Sequence, residues 1–130
     1  DATLNPGGVR IGTAEIYRIV EAMDEITDSL VIGQNWKNDV RIILFVVLKQ
    51  NRVLNDHLID RIKDQIRVNA TPRHLPAKII QINDVPRTIS GKKVELAVTR
   101  IIHKEKVDNM DALANPDSLD QFRNIAVLSD

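Results

Sequence analysis

The residues best suited to chemistry lie in one short polar segment, residues 86–93, with the sequence PRTISGKK. This segment holds two hydroxyl side chains, a glycine and two adjacent lysines, and it follows an apolar run at residues 79–82. Glycine permits dihedral angles that a side chain forbids, and Thr88 and Ser90 can bond to nearby backbone. A helix beginning just after such a turn would direct backbone N–H groups at an anion. The pattern allows anion binding around Lys92, although an ordinary solvated turn fits the same residues better.

The lysine-bearing segment is not a P-loop. A P-loop needs a glycine five residues before its Gly-Lys pair and a serine or threonine after it. Those two positions hold Pro86 and Lys93. Any anion bound here would therefore be held differently.

Two further sets of residues could contact phosphate. Residues 7–12, GGVRIG, lack the preceding strand of a dinucleotide fingerprint. Their glycines could nevertheless let an extended ligand approach the backbone, and Arg10 offers a fork of donors. An ordinary turn with a surface arginine explains them equally well. Lys63 and Arg67, four residues apart, could hold a phosphate, but a solvated helix face with neighbouring acids is the simpler interpretation.

Hydrophobic periodicity predicts the elements that would position these residues. The order is helix, strand, strand, helix, strand, helix, helix, which favours an α/β (α+β) sandwich. We expect a three-stranded, mostly antiparallel sheet with flanking helices and a C-terminal helical extension. The predicted helices cover residues 14–23, 57–68 and 95–104, with a last helical stripe after residue 115; the predicted strands cover 26–33, 40–49 and 78–82, with a polar connection at 35–39. Thr13, Asn55 or Asp56, and Asn115 are the predicted helix caps.

Composition limits the possible partners. At 130 residues the chain has the length of one domain, and its 18 basic residues equal its 18 acidic ones. Four aromatic residues argue against base stacking on nucleic acid, and the longest apolar run, residues 42–48, is too short for a membrane span. Without cysteine and with three scattered histidines, no metal site is predicted. No leader is evident, and the start at Asp1 without methionine suggests a piece of a longer protein.

Two separated segments carry a resemblance to a known family. Residues 5–16, NPGGVRIGTAEI, and residues 86–92, PRTISGK, lie about seventy residues apart. Together they resemble the C-terminal domain of the adenylate-forming (AMP-forming) acyl-CoA synthetases. The resemblance covers essentially the whole chain. Within that family the tail, with Val107 and residues 111–116, is most similar to the acetoacetyl-CoA synthetases.

The resemblance implies a two-step ligase. ATP, bound with magnesium, and a carboxylic acid give an acyl-adenylate and pyrophosphate, and coenzyme A then displaces AMP to form a thioester. The implied substrates are ATP, coenzyme A and a small acid, for which the resemblance points to acetoacetate, and no permanently bound cofactor is implied. A large N-terminal domain, missing here, would hold ATP and the acid, so this chain alone would be an inactive, mobile C-terminal domain. The implied location is the cytoplasm, with no membrane or nucleic-acid partner.

The resemblance also assigns roles to individual residues. Lys92 matches the lysine of the adenylation step, where its ammonium would neutralise charge that develops in the transition state. Asp1 matches the hinge acid between the two domains. Lys93 receives no role, and Arg87 stands where many members have lysine. The implied coenzyme A-binding residues are Gly8 in the loop along the pantetheine channel, Arg10 beside it, Lys63 and Arg67.

Alternatives from other classes remain open at the level of sequence. A noncatalytic α/β interaction module could contact a partner through the same polar turns. An adenylating domain for another acid, or for the thiol of a carrier protein, would share both segments. The sequence upstream of Asp1 would distinguish the ligases from the interaction module.

Overall fold

The structure, a computed structural model, describes residues 3–130; Asp1, the predicted hinge acid, lies outside the described residues. Its helices and strands follow the predicted order, with one short strand pair added at the N-terminus. In chain order they are β1 (Thr3–Leu4), β2 (Ile11–Gly12), α1 (Thr13–Val20), β3 (Ile26–Trp36), β4 (Asp39–Leu48), α2 (Asp56–Asn69), β5 (Lys78–Gln81) and α3 (Glu95–Ile102). No helix among residues 3–130 is both long enough and apolar enough to cross a membrane.

The main sheet has the strand order β3-β4-β5. Strands β3 and β4 pair antiparallel from Ile26 opposite Leu48 to Trp36 opposite Asp39. The pairing of β4 with β5 is parallel and shorter, and α2 lies in the crossover between them. The predicted three-stranded, mostly antiparallel sheet is therefore confirmed, with β3 and β5 as its edges.

The connection between β3 and β4 is shorter than predicted. Lys37 and Asn38 alone form the turn, both with positive φ, at 49° and 63°. Such a two-residue turn matches the twist of the two strands. Asn35, Trp36 and Asp39 consequently belong to the strands, and the predicted connection at 35–39 was wrong.

Two hydrophobic cores lie on opposite faces of the sheet. Helices α1 and α2 pack on one face, and α3 packs on the other together with the C-terminal segment, residues 103–130. Phe45 from β4 meets Phe122 from the C-terminal segment edge to face, with ring centroids 4.9 Å apart. The extension is therefore an integral part of the second core.

The predicted helix ends differ from the structure in two places. Asn55 does cap α2, because its side chain accepts a hydrogen bond from the Leu58 N–H at 2.9 Å. Thr13, in contrast, is the first residue of α1, so Gly12 takes the capping position. The C-terminal stripe forms 3₁₀ helices, Pro116–Phe122 and Ala126–Ser129, and the Asn115 side chain does not cap the first of them.

Candidate functional site

The lysine-bearing segment folds as a tight hairpin. The Thr88 N–H donates to the Lys92 carbonyl at 2.8 Å, and the Gly91 N–H donates to the Thr88 carbonyl at 2.8 Å. At its base the Val94 N–H donates to the Pro86 carbonyl at 3.0 Å. Gly91 has φ +93°, a conformation that side chains rarely adopt, and open space surrounds it. The glycine is therefore required by the turn itself.

Four backbone N–H groups of this hairpin are already engaged in hydrogen bonds. Those of Thr88 and Gly91 donate within the hairpin, and the Lys92 N–H donates to the Thr88 hydroxyl at 3.1 Å. The Ile89 N–H donates to the Ala112 carbonyl at 2.9 Å. These four donors therefore cannot form the anion cradle that the residue pattern allowed, and the exposed Lys92 ammonium is a group able to meet an anion.

The Lys92 side chain lies on the surface. Within the described part of the chain, its ammonium forms no ion pair or hydrogen bond. It borders an open groove of about 570 Å³ whose other walls include Leu4 from β1 and Val94. Two apolar side chains of the same region are exposed: Leu96, which lines this groove, at 64% and Ile89 of the hairpin at 74%. An ammonium without a partner in the described residues, next to exposed apolar side chains, suits contact with another surface that supplies the anion.

Lys93 has an entirely different environment. Its ammonium donates to the Glu21 carboxylate and to the Ser29 carbonyl, the latter at 2.8 Å, and lies 3.5 Å from Asp28. It also lies 3.6 Å from the centroid of the Tyr17 ring. The side chain is only 17% exposed. Lys93 therefore fixes the base of the hairpin to α1 and β3, a role that the sequence did not reveal since every partner is more than sixty residues away.

Arg87 holds the hairpin to the sheet. Its Nη2 donates to both carboxylate oxygens of Asp28, at 2.9 and 2.8 Å, while Nη1 donates to the Gly91 carbonyl at 2.8 Å. A lysine has one nitrogen and could not reproduce both arms. Arginine at this position thus links β3 to the tip of the hairpin.

Tyr17 joins three elements beside the hairpin. Its hydroxyl donates to the Glu95 carboxylate in α3 and accepts the Val31 N–H of edge strand β3 at 3.0 Å. Burial, and then the hydrogen bond to Glu95, raises the pKa of Tyr17 well above its ordinary value of 10.0. The phenol therefore stays protonated and can donate at all physiological pH values.

Replacing Tyr17 by phenylalanine should lower the free energy of unfolding by about 1–3 kcal/mol, because the Val31 N–H loses its acceptor and Glu95 its donor. Since folding raises the pKa of Tyr17, this contribution is fully present below the ordinary pKa of 10.0 and is lost progressively as the pH rises from there toward the raised pKa of the folded state. Urea titration at pH 7 and at pH 10.5 measures both effects. Ser129→Ala, which removes an exposed hydroxyl, is the control, and an unchanged midpoint for Tyr17→Phe at pH 7 would contradict this role.

The glycine loop near the N-terminus is a second structured surface. Gly7 and Gly8 have φ of +59° and +80° within a 3₁₀ turn. The Gly7 N–H donates to Asp39 Oδ1 at 3.0 Å, which ties the loop to the start of β4. A Cβ atom at Gly8 would meet nothing within 4 Å. Within this domain, the positive φ alone therefore explains the glycine at position 8. If anything lies close to the Gly8 backbone, it must be a ligand or another surface. Arg10 follows the turn and is exposed.

Gly8 and Lys92 do not share a pocket. Gly8 borders an open groove of about 610 Å³ with Trp36 and the residues of the β3–β4 turn. The groove beside Lys92 instead reaches residues 31–33 of β3. The two loops therefore offer separate surfaces along successive parts of one edge strand.

Lys63 and Arg67 lie on α2 and border neither of these two grooves. Arg67 Nη1 pairs with Asp64 Oδ1 at 2.6 Å, three residues earlier in the helix. Lys63 is half-buried. The ion pair of Arg67 is the arrangement expected of a solvated helix face.

The sequence matches a known protein family over most of its length. The family model described as "AMP-binding enzyme C-terminal domain" matches residues 15–92, more than half of the chain. The chain belongs to this family. The predicted resemblance to the C-terminal domain of adenylate-forming enzymes is thus confirmed, and the match ends at Lys92.

Individual members of the AMP-binding family are similar over nearly the whole chain. The acetoacetyl-coenzyme A synthetase of Rhizobium meliloti (strain 1021) is 57% identical over 128 residues, which are 98% of this chain and 20% of that protein. Acetoacetyl-CoA synthetase from Danio rerio is 47% identical over 129 residues, 98% of this chain and 19% of that protein. The solved acetoacetyl-CoA synthetase from Streptomyces lividans matches with a TM-score of 0.87 and 39% identity, covering 100% of this chain and 20% of that one. The chain thus spans about a fifth of the length of these relatives.

Proposed function

We propose that this chain works as the mobile C-terminal domain of a longer AMP-forming acyl-CoA ligase, with acetoacetate as the acid. The observation that carries the proposal is the environment of Lys92. Its ammonium has no partner among residues 3–130, yet the hairpin beneath it is held by Arg87, Lys93 and their acidic partners. An exposed ammonium held in this way can bind an anion that lies in a site outside the domain. The high identity to acetoacetyl-CoA synthetases supports the choice of acid.

In the first half-reaction, a carboxylate oxygen of the acid attacks the α-phosphorus of ATP and pyrophosphate leaves. Negative charge builds on the phosphate oxygens as this bond forms. The Lys92 ammonium would lie against those oxygens and stabilise the transition state more than the ground state. ATP would enter as its magnesium complex. A large N-terminal domain would provide the pockets for ATP and the acid, and Ile89 and Leu96 would pack against it.

In the second half-reaction, the thiol sulfur of coenzyme A attacks the acyl carbonyl and AMP leaves. Gly8 would lie along the pantetheine chain, and Arg10 would meet a phosphate of the coenzyme or nucleotide. Lys63 and Arg67 would contact the coenzyme's phosphate, for which Arg67 would have to exchange its partner Asp64. Asp1 would act at the hinge. We place this ligase in the cytoplasm, where its substrates are available.

Acid-dependent exchange of labelled pyrophosphate into ATP by the full-length protein tests this function. Acetoacetate should support exchange, whereas acetate, butyrate and malonate at the same concentration should support much less. Adding coenzyme A should then yield AMP and acetoacetyl-CoA in equal amounts. Failure of every acid to support exchange would favour the noncatalytic interaction module. Exchange without thioester formation on coenzyme A would favour a carrier-protein thiol as acceptor.

A further inference from the structure

The C-terminal segment forms a third strand beside the Lys92 hairpin. The Ile89 N–H donates to the Ala112 carbonyl at 2.9 Å, and the Ala114 N–H donates to the Arg87 carbonyl at 2.9 Å. Between these bonds Thr88 and Leu113 face each other as an antiparallel bridge pair. The first arm of the hairpin, residues 87–89, is therefore hydrogen-bonded on both sides. Its partners are the second arm, residues 92–93, on one side and residues 112–114 on the other.

Asn115 completes this attachment through its side-chain amide. Its Oδ1 accepts the Arg87 N–H at 2.9 Å. Its Nδ2 donates to Asp84 Oδ2 at 2.7 Å and to the Val85 carbonyl at 2.9 Å. The carbonyl oxygen and the NH₂ group of the Asn115 side chain are thus all hydrogen-bonded to residues 84–87, the segment that leads into the hairpin. No other side-chain amide in the described part of the chain contacts the backbone of that segment on both sides of Pro86.

The position of Asn115 argues against a purely local role. It lies beyond the part of the chain that the family model matches, which ends at Lys92. It bonds the hairpin's first arm 28 residues earlier in the sequence. Since the Thr88 N–H bonds the Lys92 carbonyl, and the Thr88 hydroxyl accepts the Lys92 N–H, a shift of the first arm moves the lysine with it.

We propose that Asn115 is a positioning residue for Lys92 in the adenylation half-reaction. This inference rests on the proposed function. Asn115 does not touch the substrates; it holds the arm from which Lys92 reaches them. A misplacement of about 1 Å at a reacting centre can cost about a hundredfold in rate. The thioester half-reaction uses the Gly8 surface, which Asn115 does not contact, so it should not depend on this bond.

The test uses three variants of the full-length protein. Asn115→Asp keeps the shape and the acceptor for Arg87, but it removes both donors and sets a carboxylate against Asp84. The double variant Asn115→Asp with Asp84→Asn restores the hydrogen bond with donor and acceptor exchanged, leaving only the Val85 carbonyl without its donor. Asn51→Asp, in the exposed turn after β4, is the matched control for the chemical change. Each protein is assayed for pyrophosphate exchange, for thioester formation from supplied acyl-adenylate, and for its melting temperature.

The Asn115→Asp variant should lower the kcat of exchange by about ten- to a hundredfold with little change in the KM for ATP, while thioester formation from adenylate stays within twofold. The double variant should recover most of the lost exchange, and Asn51→Asp should match the wild type. Normal exchange in Asn115→Asp, or an equal loss in both half-reactions without recovery in the double variant, would overturn the positioning role while leaving the proposed function intact. Absence of exchange in the wild-type protein would instead overturn the proposed function and this inference with it.

Discussion

Replacing Lys92 by alanine in the full-length protein should slow acid-dependent pyrophosphate exchange by about two to three orders of magnitude. Removal of one prearranged donor from a developing anionic charge typically costs that much in rate. The Lys92 ammonium has no partner within residues 3–130, so its removal breaks no contact that holds the domain together. The melting temperature of the variant should therefore stay close to that of the wild type.

Lys106→Ala is the matched control for Lys92→Ala. Lys106 is also exposed, lies in the loop after α3 and does not border the groove beside Lys92. Its replacement should leave both the exchange rate and the melting temperature unchanged. An exchange rate within threefold of the wild type for Lys92→Ala would remove this lysine from the adenylation step.

Replacing Gly8 by leucine should slow thioester formation from supplied acyl-adenylate by about a hundredfold while sparing pyrophosphate exchange. The φ of +80° strains a leucine, and a side chain at this exposed position would project toward whatever the loop contacts. A misplaced reacting group accounts for an effect of that size. Stopped-flow measurement of coenzyme A consumption gives the rate.

Substitution by asparagine distinguishes two explanations for glycine at position 8: the positive φ of the turn, and close contact between the backbone and the pantetheine chain. Asparagine tolerates positive φ, so Gly8→Asn should fold normally even though it adds a side chain. If the backbone passes along the pantetheine chain, Gly8→Asn should also slow the thioester step, whereas the control Gly7→Asn should slow it much less. Normal thioester formation in Gly8→Asn would mean that glycine serves the turn alone and would remove Gly8 from the coenzyme channel.

Local patterns accounted for most of the fold. The apolar run of β4 and the stripe of α2 with its Asn55 cap were predictable because each signal lies within a few residues of the element that it describes. The β3–β4 turn was predicted to be longer than it is, because polar residues at the ends of two strands give the same sequence pattern as a loop. The C-terminal stripe formed 3₁₀ helices instead of an α-helix, since spacing of apolar residues alone does not fix the hydrogen-bond pattern over so short a stretch.

The support around Lys92 could not be predicted from spacing. Lys93 finds its partners on α1 and β3, and Asn115 finds its partners 28 to 31 residues back. No local pattern encodes contacts of that length. Whether the N–H groups of a turn are free to meet an anion likewise depends on the hydrogen bonds that close the turn, and the residue pattern does not show those bonds. The distinction between an exposed Lys92 and a half-buried Lys93 required the folded chain.

Thioester formation by the Lys92→Ala protein tests the central claim most directly, that the exposed lysine serves the first half-reaction alone. Acetoacetyl-adenylate and coenzyme A are supplied to the full-length variant, and the single-turnover appearance of acetoacetyl-CoA is measured beside the wild type. The expected result is a rate within about twofold of the wild type, alongside a pyrophosphate exchange reduced by about a hundredfold or more. Equal losses in the two half-reactions would contradict a role for Lys92 confined to adenylation.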